Sequence, residues 1–135
     1  MRKAKWTATI GLSMSLASFS SVGLAKTERH GLFSIEQSGV ASYYSDKLHG
    51  QRTANGEVYD KNALTAAHKS LPFGTVLKVV NLSNNRSVEV RVNCRAPQSN
   101  KRLLDLSKRA AKELDFVQAG LARVKIEVLR LGEAA

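Results

Sequence analysis

Ser87-Val88-Glu89-Val90-Arg91-Val92-Asn93 alternates an apolar β-branched residue with a polar one at every step. Valine is stiff about its first side-chain bond and suits extended backbone. A period of two then places Val88, Val90 and Val92 on one face and the polar residues on the other, which predicts a strand with one buried face. The same pattern returns near the end of the chain, where Val124, Ile126 and Val128 alternate with Arg123, Lys125 and Glu127. Upstream of the first pattern, Ser83-Asn84-Asn85-Arg86 supplies turn residues after a second apolar run, so residues 75–93 are expected to form an antiparallel hairpin. Gly39–Tyr44 and Leu64–His68 also have strand character.

One helix is signalled. Ser107 is a good N-cap for Lys108 to Leu114, Leu106 is placed to staple against Ala111, and Ala110, Ala111 and Leu114 form the buried stripe. Residues 45–63 and 94–104 remain as long loops. Periodicity thus predicts a mainly β domain, a closed or nearly closed barrel crossed by one short helix, and goes no further.

The first 25 residues read differently. Arg2, Lys3 and Lys5 precede an uncharged run from Trp6 to Phe19, and Val22-Gly23-Leu24-Ala25 presents small residues where a signal peptidase needs them. This is the pattern of a secretory signal peptide, residues 1–25, cleaved after Ala25. The run is too short and too rich in Ser and Thr for a spanning helix, so no stable membrane insertion is expected after cleavage. Residues 26–37 are polar without a period and read as a flexible lead-in, which leaves 38–131 for the domain. Little chain follows the last predicted strand, and no further domain is expected there.

Cleavage removes three basic residues and no acidic ones, taking the formal charge from +10 to +7. A basic chain favours anionic partners: nucleic acid, anionic lipid or wall polymers. Export argues against nucleic acid, and the bases are scattered with few aromatic residues among them. The single cysteine, Cys94, has no internal partner for a disulfide, which is unusual in an exported protein.

Chemistry concentrates in Thr53-Ala54-Asn55-Gly56-Glu57-Val58-Tyr59-Asp60 and in the TAAH-x-x-LP-x-G stretch from Thr65 to Gly74. A carboxyl and an imidazole, here Glu57 and His68, are the usual pair for acid/base work when their surroundings tune them. Tyr43 and Tyr44 face opposite ways on a strand, so one belongs to the core and the other faces outward. Asp105, just before the helix cap, reads as a structural carboxylate rather than a catalytic one. No cofactor is expected: the sequence holds no metal-ligand spacing, nucleophilic serine motif or phosphate-binding loop.

Three blocks, GVASYYSDKLHGQRTANGEVYDKNALTAAHKSLPFGT, VLKVVNLSNNRSVEVRVN and RLLDLSKRAAKEL, resemble the rare lipoprotein A (RlpA-like) family of double-psi β-barrels, related in fold to barwin and expansin domains. The resemblance spans about residues 39–130. It implies a six-stranded double-psi β-barrel with one or two short helices. It also implies an endolytic lytic transglycosylase that cuts between N-acetylmuramic acid and N-acetylglucosamine to leave a 1,6-anhydro end, in the periplasm or cell envelope, with peptidoglycan glycan strands as partner.

The family's functional glutamate falls on Glu57 and its histidine on His68. Its third functional position is an aspartate in an RVNDRGP block, and here that block reads Arg91-Val92-Asn93-Cys94-Arg95-Ala96-Pro97. Cys94 therefore stands at the acid's place, and an alanine replaces the glycine. Tyr44, Arg52, Asn55, Arg91 and Arg95 are the substrate-binding candidates on this resemblance, the arginines because guanidinium suits sugar-borne carboxylates. Thiols are weak acids that stay mostly protonated at pH 7. Two outcomes follow from this one position: a transglycosylase working with a thiol, or a catalytically inactive module that holds glycan.

Overall fold

The structure, a computed structural model, describes residues 35–133. The predicted signal peptide and most of the lead-in lie outside the described residues. Six strands are present: β1 (Glu36–Tyr43), β2 (Thr65–His68), β3 (Val76–Asn81), β4 (Ser87–Arg95), β5 (Leu104–Leu106) and β6 (Ala122–Arg130), with helix α1 (Lys108–Glu113) between β5 and β6. A single 3₁₀ turn covers Asp46–Leu48. The strands close into one barrel in the order β1-β5-β2-β4-β3-β6.

The predicted hairpin forms. β3 pairs antiparallel with β4, from Val76 opposite Arg91 to Val80 opposite Ser87. Asn85 takes a left-handed conformation in the turn, which asparagine tolerates better than most residues. The turn has a second task, because Asn81 and Asn84 both donate side-chain hydrogen bonds to the carbonyl of Leu114. It thereby satisfies one of the carbonyls that the end of a helix leaves without an internal partner. β6 buries Val124, Ile126 and Val128 as its alternation requires, and these pack with Leu77, Val79, Val90, Val92, Leu104 and Leu106 in the core.

Two features depart from the sequence reading. β1 begins at Glu36, not Gly39, so the last two residues assigned to the lead-in belong to the sheet, where Glu36 and Gln37 pair with Glu127 and Ile126. The segment expected as a loop over 94–104 is instead strand at both ends, because β4 runs on to Arg95 and Leu104 opens β5. β5 has three residues, too few to display a period. Its place in the barrel comes from its neighbours: it lies parallel to β1 and antiparallel to β2.

β2 shows no alternation either, and all four of its residues are buried. It sits between β4, to which it runs parallel, and β5, and both of its faces lie away from water. Its register against β4 shifts between Ala66 and Ala67, leaving Asn93 as the extra residue of a β-bulge.

Ser107 joins three of these pieces. Its hydroxyl donates to the carbonyl of Ala63 at 2.6 Å and accepts from the N–H groups of Ala110 and Thr65 at 3.2 and 3.3 Å. Ser107→Ala is expected to lower the unfolding free energy by about 2 kcal/mol, since it removes a helix cap and a buried tie at once. Urea denaturation followed by circular dichroism checks this.

Candidate active site

The loop after β1 folds back over the end of β4. The backbone N–H of Asn55 donates to the carbonyl of Asn93 at 3.2 Å, and that of Ala54 donates to Sγ of Cys94 at 3.4 Å. Within the loop, the Asn55 side chain accepts from the Thr53 hydroxyl at 2.7 Å and the Glu57 N–H at 3.0 Å. Gly56 takes the positive φ of 94° that reverses the chain, a conformation a side chain would strain. Arg52 closes the turn by donating to the Gly56 carbonyl at 2.7 Å. Asn55 and Arg52 are therefore committed to shaping the loop.

This turn delivers Glu57 to the outer face of β4. Its carboxylate meets the Arg91 guanidinium in a two-pronged pair, 2.9 Å on each arm, and accepts from Asn93 Nδ2 at 3.1 Å. The Arg91 hydrogen bonds first, then those of Asn93 and Asn55, hold the Glu57 carboxyl down to about 2, against the opposing effect of partial burial. The two side chains stay 42 and 41 % exposed, so the pair contributes little to stability, about 1 kcal/mol or less. Its effect is on charge state and aim. Glu57 is ionised at neutral pH and has no proton to give.

His68 is buried at the end of β2. Its Nδ1 accepts from the backbone N–H groups of Ser70 and Leu71, each at 3.1 Å, and its Nε2 lies 3.1 Å from Oε1 of Gln37. With Nδ1 serving as acceptor, the ring proton sits on Nε2 and is donated to Gln37. Burial first, then the charges of Arg95 and Lys69, push the imidazole below its ordinary pKa. The ring is neutral, and none of its hydrogen bonds reaches Glu57 or Cys94.

Cys94 lines a cleft with Tyr44, Leu48, Gln51, Arg52, Thr53 and Tyr59. The Tyr44 ring stands edge-on to Tyr59, with centroids 4.8 Å apart, and its buried hydroxyl lies beside the thiol, within no hydrogen-bond geometry to a partner among the described residues. Burial, then the neighbouring Cys94, raises the Tyr44 pKa. Tyr43, facing the other way, packs edge-on against Phe116 and donates to the Val117 carbonyl.

Arg95 is spent on structure. It donates to the carbonyls of His68 and Leu71 and lies over the Phe73 ring, 4.4 Å from its centroid. Ala96, at the glycine's place in the block, is buried and free of positive φ, so its extra carbon is accommodated. Cys94 is the substantive departure.

The family model described as lytic transglycolase matches residues 36–126. This chain belongs to that double-psi β-barrel family. It is 54% identical over 96 residues to the endolytic peptidoglycan transglycosylase RlpA of Campylobacter jejuni, an alignment that covers 71% of this chain and 35% of the relative. The chain spans half or less of the length of the curated relatives it matches.

Among solved structures, the fold of this double-psi barrel is shared with a Streptomyces papain inhibitor, at a TM-score of 0.59 and 22% identity over 71% of this chain and 96% of the inhibitor. It is shared also with an expansin of Clavibacter michiganensis solved in complex with cellohexaose, at a TM-score of 0.56 and 20% identity over 75% of this chain and 54% of the expansin.

Sequence reasoning missed Asn93, which joins Arg91 in holding Glu57, and Gln37, which accepts the ring proton of His68. Asn93 looks like one more solvated polar residue of an alternating strand, and only the loop folded upon it reveals its burial. Gln37 lies in the stretch assigned to the lead-in.

The Glu57 pair predicts a pH signature. Its folded pKa lies below its ordinary value of 4.5, so its contribution to stability is complete above that value and is lost as pH falls toward 2. Carboxyl carbon NMR is expected to place the Glu57 transition near 2, and Arg91→Ala to return it toward 4.5.

Proposed function

We propose that this domain is an exported lytic transglycosylase of the cell envelope that acts on peptidoglycan glycan strands, with Cys94 in the place of the family's acid. The observation that carries this reading is the loop of residues 53–57 docked on the end of β4. Its Ala54 amide reaches the Cys94 thiol and its Glu57 carboxylate reaches Asn93, the residue before Cys94, within a domain whose family match spans nearly all of the barrel.

The chemistry requires the 6-hydroxyl oxygen of N-acetylmuramic acid to attack its own anomeric carbon as the bond from that carbon to the leaving oxygen breaks. A proton must reach the leaving oxygen, and one must leave the hydroxyl. A thiol at position 94 supplies the first and, as thiolate, accepts the second, so the group ends as it began. Glu57, kept ionised by Arg91, stabilises positive charge that develops at the anomeric carbon. His68 acts as a positioning residue that holds the turn after β2 in shape. Tyr44 offers its unpartnered hydroxyl to the sugar or to the group at position 94.

One observation favours a second reading, a glycan-binding module without turnover. The cleft beside Cys94 is lined by no carboxyl group, and the nearby Glu57 is ionised with no proton to donate. Thiols are weaker acids than carboxylic acids and serve general acid catalysis less well near neutrality.

Incubation of the chain with purified peptidoglycan, followed by mass spectrometry of the soluble products, separates the two. Anhydro-ended fragments are expected from the natural chain. Cys94→Asp is expected to raise their yield by about 100-fold, because it restores a carboxyl group and gives Tyr44 an acceptor. Glu57→Ala is expected to abolish them. Product from Cys94→Asp alone would leave the natural chain as a binder. Failure of the natural chain to sediment with sacculi would remove both readings.

A further inference from the structure

A second pocket, of about 310 Å³, opens where the turn after β2 meets the segment leading into β5, and it shares no lining residue with the Cys94 cleft. Two contacts bring its walls together. The Leu103 N–H donates to the Val40 carbonyl at 2.8 Å, an approach possible because Gly39 has no side chain: an added Cβ would lie 2.9 Å from that of Leu103. Gln98 then ties the segment to the turn by donating to the Lys69 carbonyl at 2.9 Å.

The charges on these walls have one sign. Lys69, Lys101 and Arg102 line the pocket, and among the described residues no carboxylate does. Arg102 shares its Nε with Asp105 at 3.1 Å, while Lys69 and Lys101 make no ion pair among the described residues. The buried ring of His68 adds a directed donor. Because its Nε2–H is given to Oε1 of Gln37, the amide nitrogen of Gln37 is turned away from the ring, and it donates to no partner among the described residues. Lys69 and Lys101, with Arg102 shared with Asp105 and the Gln37 amide beside them, suit an oxyanion in this hollow.

We propose that this pocket binds a carboxylate carried by the wall polymer, either the lactyl group of N-acetylmuramic acid or a carboxylate of the stem peptide. The assignment rests on the glycan reading above and deepens it, since it gives the domain a means of telling muramic acid units from neutral sugars. His68 acts here at one remove, by fixing the amide of Gln37.

The test is an NMR titration of the ¹⁵N-labelled chain carrying Cys94→Ser, so that turnover does not enter. The probes are the N-acetylglucosamine–N-acetylmuramic acid disaccharide, its lactyl methyl ester, a stem tetrapeptide and chitobiose. The disaccharide or the tetrapeptide is expected to shift the amide signals of Lys69, Ser70 and Lys101, and whichever does so names the source of the carboxylate. The ester and chitobiose are expected to leave those signals in place.

A Lys69→Ala, Lys101→Ala double variant, its fold verified from the dispersion of the same spectra, is expected to bind the active probe at least about tenfold more weakly. The proposal is overturned if neither carboxylate probe moves these signals, if the ester or chitobiose moves them equally, or if the double variant binds as tightly. Failure of the broader glycan reading has its own readout, the absence of sedimentation with sacculi.

Discussion

The parallel pairing of β2 with β4, and the bulge within it, is the constraint on which the rest depends. β2 contributes only Thr65, Ala66, Ala67 and His68, yet it links β5 to β4 and so closes the barrel. The register shift lets Ala67 lie opposite Cys94 on one neighbour and Asp105 on the other, and His68 opposite Arg95. Cys94, Arg95, Asp105 and His68 are placed by reference to this short strand.

From that frame the polar groups divide by task. Arg91 and Asn93 set the charge of Glu57, and Ser70, Leu71 and Gln37 set the tautomer of His68. Arg95 and Asn55 complete loops. Asp105 accepts from Ser42 at 2.6 Å and from Arg102 at 3.1 Å, a structural part across the β1–β5 pairing. A pair of candidates chosen because carboxyl and imidazole often cooperate thus proves to be two separately determined groups, one ionised and one neutral.

Cys94 is the place where local consistency breaks. Its loop, its strand and the aromatic wall of Tyr44 and Tyr59 are all in order, yet the Tyr44 hydroxyl is buried without an acceptor. A buried polar group left unmatched costs about 1 to 3 kcal/mol. A carboxylate at position 94 would remove that mismatch, whereas the thiol accepts only a weak bond from the Ala54 amide.

The sequence by itself determined β3, β4, β6 and α1, because valine alternation and the cap at Ser107 act over a few neighbouring residues and need no partner to be recognised. Motif resemblance extended this to Glu57, His68 and the departure at Cys94. Tertiary structure alone decided the three-residue β5, the burial of β2 on both faces, the early start of β1 and the assembly of the cationic pocket. These depend on contacts between residues far apart in the chain, and neither periodicity nor residue type records which distant backbone will supply a hydrogen bond or a charge.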